Sequence, residues 1–224
     1  MQARYVAKTD LETLLDPESQ PWRSQAPTVI PLVGTPLGLQ PTDAIRAAWF
    51  EKKIGAVEKV TVSAVHDGAT LAFRLEWEDA TENGSIDDTD SFPDAAAIAL
   101  PVSEDAPLVL MGAVGAPVNA WQWRADNPDG ARQISAEGLG TSRALGGAHV
   151  RARGSWKAGR WRVVIARALQ IPGEAGAAQL QPGQQTGFGV AIWEGSHQER
   201  AGIKAFSGDW LPLDLEIATA QRRS

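Results

Sequence analysis

The chain has 224 residues, a formal net charge of −6 and no cysteine. The acidic balance excludes a basic nucleic-acid face. The missing cysteines exclude disulfides, Cys-ligated zinc, Cys-bound iron–sulfur clusters, covalent c-type haem attachment and thiol catalysis. No apolar run approaches the length of about 18 residues that a membrane-spanning helix needs, and nine tryptophans against one tyrosine suit cores, stacking platforms or pockets for flat ligands.

Residues 1–40 read as an irregular, partner-contacting arm, because Pro17, Pro21, Pro27, Pro31 and Pro36 interrupt every short apolar patch. Residues 42–53 suit a short helix capped by Thr42, with Ile45, Ala48 and Trp49 on one face. From Val60 the period changes to two. Val60, Val62 and Ala64 precede a His66-Asp67-Gly68 turn, and Leu71, Phe73, Leu75 and Trp77 follow it, which predicts a β-hairpin with one buried face. Residues 79–94 carry Asp79, Glu82, Asp87, Asp88, Asp90 and Asp94 without the spacing of an EF-hand, so a solvated loop is expected.

Short apolar runs at 95–101 and 106–111 lead into an alternating Asn119–Arg124 segment. A second hairpin turns at Lys157–Arg160, with Arg151, Arg153, Arg162 and Arg167 expected on its outward face. After a Gly-, Gln- and Pro-rich loop, Gly187–Trp193 and Trp210–Ile217 complete the strand-like segments. The expected fold is all-β, an antiparallel β-sandwich with a few short helices, in one domain spanning residues 41–224.

No enzyme signature is present. A nucleophile elbow is missing, His66, His149 and His197 stand far apart, and the glycines form no dinucleotide-binding pattern. The informative stretch is MGAVGAPVNAWQWRADNPDG, residues 111–130. A methionine among glycines either fills a core gap or offers a soft axial ligand to haem iron, with glycines letting a flat group approach the backbone. The second stretch, ERAGIKAFSG, holds Lys204 beside Gly202 and Phe206. A lone lysine is usually solvent-exposed, yet its neutral amine is a competent metal ligand.

Taken together, Met111 in MGAVGAPVNAWQWRAD and Lys204 in ERAGIKAFSG resemble the haem b subunit of ethylbenzene dehydrogenase and the γ subunits of related molybdenum enzymes. The likeness extends to HDGATLAFRLEW, AIWEG and WLPLDLEI. It implies a β-sandwich similar to the cytochrome domains of sugar dehydrogenases, binding one non-covalent haem b with Met111 and Lys204 as axial ligands. Asn119, Trp121, Phe206 and Ser207 are then candidate haem contacts, and Arg124 a candidate partner for a propionate. With both axial positions filled, the chain has no catalytic site and transfers electrons.

The implied partners are an iron–sulfur β subunit and a molybdopterin-containing α subunit, of the hydrocarbon- or steroid-hydroxylating type, with an external acceptor such as a c-type cytochrome. The N-terminus shows no signal-peptide core, which by itself suggests the cytoplasm. The resemblance implies a periplasmic complex exported with a signal-bearing partner subunit. The alternative is a Trp-rich β-sandwich carbohydrate-binding module without cofactor, its exposed tryptophans stacking on sugar rings.

Overall fold

The period-two segments all form strands, and the positions where the chain turns are chemically determined. The computed structural model describes residues 1–7, 9–85, 91–127, 130–147 and 149–217. In chain order these are β1 (Gln2–Tyr5), α1 (Leu11–Leu15), α2 (Gln20–Arg23), β2 (Thr28–Pro31), β3 (Val33–Gly34), α3 (Asp43–Trp49), β4 (Lys59–His66) and β5 (Thr70–Glu78). There follow β6 (Ala95–Pro101), β7 (Gly112–Ala113), β8 (Ala116–Arg124), β9 (Ala131–Ala136) and β10 (Arg143–Ala144). The chain ends with β11 (Val150–Trp156), β12 (Arg160–Ala168), β13 (Gln185–Trp193), β14 (Ala205–Phe206) and β15 (Leu211–Leu215).

Thr42 caps α3 as expected, its hydroxyl accepting from the Ile45 amide at 3.2 Å. The β4–β5 turn is closed by Asp67, whose carboxylate accepts from the Ala69 and Thr70 amides. Ala158 and Gly159, both at positive φ, make the β11–β12 turn, the geometry whose twist matches a two-residue hairpin.

The strands form two facing layers. One runs β10-β9-β8-β6-β13 and the other β13-β15-β1-β4-β5-β12-β11. β13 belongs to both: Gln185–Phe188 pair with β15, and Gly189–Trp193 pair with β6. Between the layers Phe73 meets Trp121 and Phe188 at 6.0 and 5.6 Å, and Trp123 meets Trp161 at 4.9 Å between ring centroids. This aromatic seam lies in the main core, which also takes in Val62, Leu75, Ile98 and Ile165.

Four sequence expectations are corrected. Residues 1–40 are not an irregular arm: β1 lies parallel between β15 and β4, so the sheet is mixed, and Leu14, Leu15 and Trp22 are buried against β4, β5 and β12. Pro21 falls in the first turn of α2 and Pro31 at the end of β2, where a missing N–H costs little. Asp79 and Asp94 are buried and not solvated, while Asp87, Asp88 and Asp90 lie outside the described residues. Arg167 shares the inward parity of Trp161, Val163 and Ile165 and is 1% exposed. His66 sits at the end of β4, fully buried against Tyr5, with neither ring nitrogen bonded.

Candidate functional site

Strand alternation builds an unusual floor on the outer face of the first layer. Ala96, Ile98 and Leu100 of β6 and Trp121 and Trp123 of β8 point into the core. The opposite parity is small: Ala97 and Ala99 on β6, Ala120 on β8, Gly189 and Ala191 on β13. Cross-strand register aligns them into one row, Gly189–Ala99–Ala120–Ile134, and a second, Ala191–Ala97–Gln122. With strands about 4.8 Å apart, four adjacent strands give a level surface roughly 14 Å wide from which almost no side chain rises.

Above this floor is a cavity of about 400 Å³. Leu108, Val109 and Met111 form one wall. Thr35, Pro36, Leu39 and Gln40 form another. Ala201, Gly202, Lys204 and Phe206 contribute a third, and Trp193, Leu139 and Ser142 complete the rim. Of the residues expected from sequence to bind a ligand, Met111, Lys204 and Phe206 are therefore brought together.

Met111 is held in a conformation that methionine rarely adopts, with φ +56°. Its amide donates to Leu108 O at 2.9 Å, its carbonyl accepts from the Gly138 amide at 3.0 Å, and the Gly112 amide donates to Pro107 O at 2.9 Å. Gly112 is required next to it: at φ +93° a Cβ would stand 2.4 Å from Ala136 O. The Trp210 indole N–H donates to Ala106 O at 2.7 Å and secures the start of the loop. A residue kept in left-handed backbone by this many contacts costs on the order of 1–2 kcal/mol, a strain typical of functional positions.

Lys204 enters from the segment before β14. Its carbonyl accepts from the Thr35 amide, and the Thr35 hydroxyl and Gln40 amide both donate to Gly202 O, which fixes the backbone around it. The amine lies 5.5 Å from the Trp193 ring centroid. Among the described residues no carboxylate pairs with it. Burial alone pushes the Lys204 ammonium down to about 8, so a neutral amine is far more accessible here than on an exposed lysine.

The other expected contacts lie elsewhere. Asn119 and Trp121 are on the inward parity of β8. Trp121 is fully buried, its indole N–H donating to Asn119 Oδ1 at 3.0 Å. Ser207 ties the β13–β14 pairing, donating its amide to Val190 O and accepting from the Val190 amide. Arg124 lies beyond the floor, paired with Asp126 at 2.6 Å. Sequence reasoning missed the floor itself. Its signal was the small residues Ala95, Ala97 and Ala99 on alternate positions of β6, with Ala120 on β8 and Gly189 and Ala191 on β13.

A separate polar cluster closes the far ends of the same strands. Asp79, Asp94 and Glu194 bring one carboxylate oxygen each within 4.8 Å of one another. Asp94 accepts from the Gly195 and Asn83 amides and the Trp161 indole. Asp79 Oδ2 has no partner. Burial and the neighbouring carboxylates push Asp79 up to about 7, and burial pushes Asp94 up to about 6. None of the three reaches the cavity.

The fold resembles a family 9 carbohydrate-binding module from Caldicellulosiruptor kristjanssonii, with TM-score 0.55 at 10% identity over 98% of this chain and 96% of that one. A putative carbohydrate-binding protein from Bacteroides uniformis aligns at TM-score 0.53 and 11% identity, over 96% of this chain and 98% of that one. This likeness is one of fold. Among the described residues no tryptophan is fully exposed, and Trp156 and Trp210 are half-buried.

Sequence relatives are of a different kind. The chain is 37% identical over 159 residues to chlorate reductase subunit gamma of Ideonella dechloratans, covering 70% of this chain and 65% of that protein. It is 30% identical over 195 residues to a putative respiratory nitrate reductase heme subunit of Haloferax mediterranei, covering 87% and 66%. It is 26% identical to dimethylsulfide dehydrogenase subunit gamma of Rhodovulum sulfidophilum, covering 88% and 82%. The chain thus spans about two thirds of the length of the first two relatives. The ethylbenzene dehydrogenase family model matches residues 19–145 and 139–205, and over that extent the chain belongs to the ethylbenzene dehydrogenase family.

Proposed function

We propose that this chain is the haem-carrying, electron-transferring subunit of a molybdenum enzyme complex. The observation that carries the reading is the cavity: a flat floor of alanine and glycine, lined by one thioether, Met111, and one unpaired amine, Lys204. Among the described residues, no histidine, cysteine or carboxylate lines it. These donors fit one non-covalent haem b, which Met111 Sδ and Lys204 Nζ would hold through its iron. Bound there, the haem would supply one-electron transfer, and an iron held by both donors would offer no open site for bond chemistry.

The chain's own residues do the rest. Lys204 must give up its proton to ligate, and burial has already lowered the cost. Thr35 and Gln40 hold the Lys204 backbone in place. Met111, a weak donor to oxidised iron, and the apolar walls of Leu108, Val109 and Phe206 favour the reduced form. The γ-subunit names of two relatives support companion α and β subunits; we read these as an iron–sulfur β subunit supplying electrons and a molybdopterin α subunit holding the substrate, with an external acceptor such as a c-type cytochrome. A hydrocarbon or steroid substrate is our reading of the catalytic partner, although the relatives compared above are named for chlorate, nitrate and dimethyl sulfide. A periplasmic location, reached with a signal-bearing partner, belongs to the same proposal. No helix among the described residues is long and apolar enough to cross a membrane.

The test is a reduced-minus-oxidised visible spectrum of the purified, haem-supplied chain beside Met111→Ala and Lys204→Ala. A low-spin b-type spectrum that turns high-spin or disappears in both variants supports the ligand pair. A colourless wild type refutes the reading.

A further inference from the structure

Arg167 is the one arginine that the fold places in the core among the described residues, at 1% exposure. Its guanidinium donates to Ala168 O, Leu169 O and Ala178 O and to Asn119 Oδ1. It lies 4.6 Å from the Trp121 ring centroid. Among the described residues no carboxylate pairs with it. Carbonyl and amide dipoles alone solvate the charge, and burial lowers its pKa to about 10, still well above neutrality. Removing a charge from water without a counter-ion is expensive, so a chain that keeps one has a use for it. A methionine or leucine would fill the same space at lower cost.

Its position suggests the use. Asn119 and Trp121, which hold the guanidinium, alternate along β8 with Ala120 and Gln122, which line the cavity. Asn119 also donates to the carbonyl of Ile134, another floor residue, at 3.0 Å. Arg167 therefore lies directly beneath the cavity floor, on the inner side of one sheet. One sheet thickness separates the guanidinium from the cavity, a distance on the order of 10 Å. Buried charges are little screened by salt.

We propose that Arg167 is a fixed positive charge that raises the reduction potential of the redox group held in the cavity, by disfavouring its more positive oxidised form. This rests on the haem reading above. Two unit charges about 10 Å apart at an effective dielectric of about 20 interact strongly enough to change the oxidised-to-reduced ratio about tenfold. For one electron that is about 59 mV. Arg167 touches no ligand and acts through the field alone.

The experiment is a redox titration of the haem in wild type, Arg167→Met and Arg167→Lys, with the low-spin spectrum recorded throughout. The expected result is a fall of about tenfold in that ratio's favour of reduction for the methionine variant, and near wild-type behaviour for lysine. Asn119→Asp covers the case in which the methionine variant fails to fold. It keeps the shape and places a carboxylate 2.9 Å from Nη1, and the potential should fall equally. An unchanged potential in either Arg167→Met or Asn119→Asp, with the low-spin spectrum intact, overturns the proposal while leaving the haem reading standing. A wild type that binds no haem overturns both.

Discussion

Replacing Asp79 with asparagine isolates the electrostatic cost of the carboxylate cluster beside the floor strands. Asp79 is 3% exposed; Oδ1 accepts from the Thr81 amide at 3.0 Å and Oδ2 is unpaired. Burial first, then the charges of Asp94 and Glu194, push the carboxyl up to about 7, whereas in an unfolded chain it ionises near 3.9. Between about pH 4 and pH 7 the folded chain therefore holds a proton that the unfolded chain has released. This contribution to stability falls as pH rises through that window and levels off above it. Complete ionisation costs on the order of 4 kcal/mol, an upper figure because Asp94 shares the burden.

Asparagine preserves the acceptor for Thr81 and presents an N–H₂ group where the orphaned oxygen was, with no charge to ionise. His66 works in the opposite direction. Burial lowers its pKa, so its contribution is lost as pH falls, and the difference between the two chains is the quantity to read. Urea unfolding followed by tryptophan fluorescence, in chelator, should show Asp79→Asn gaining on wild type by at least about 2 kcal/mol between pH 5 and pH 8. A stability difference that is the same at both pH values would refute the reasoning.

Two further outcomes follow from the cavity. Gly112→Ala puts a Cβ 2.4 Å from Ala136 O at φ +93°. It should cost about 2 kcal/mol or more and displace Met111, so the folded fraction should lose its low-spin haem signature; a wild-type spectrum and melting temperature would contradict this. Ala120→Phe places a ring on the floor without touching either donor. Haem content should fall to near zero while the apoprotein melts within a few degrees of wild type, and full haem loading would show that the floor is not where the ligand lies.

Much of this was legible in the sequence, and most of the failures share a cause. The paired Met111 and Lys204 motifs located the cavity walls, and the Thr42 cap and both hairpin turns announced themselves through local chemistry. Parity was the weak point. β8 is buried on both faces, so hydrophobicity does not say which side meets the ligand. Large aromatic residues drew the assignment towards Asn119 and Trp121, although the cavity-facing side is the one with the smaller side chains. Arg167 shares its parity with Trp161, Val163 and Ile165, but its charge suggested the surface. β1 was invisible for another reason: four residues between two distant partners carry too little pattern to declare a central parallel strand.

The floor has a mechanical consequence. A cavity walled by long flexible side chains collapses when empty, because those chains rotate in to recover lost contacts. A surface of alanine and glycine has nothing to rotate: its contour is the contour of the backbone, held by the hydrogen bonds of four adjacent strands. The floor of the recess is thus a property of the folded chain and not of its occupant, whereas the walls of Leu108, Met111 and Lys204 can still move. Folding and loading become separable events, and a flat ligand arriving late meets a seat already shaped, with little reorganisation left to oppose its entry.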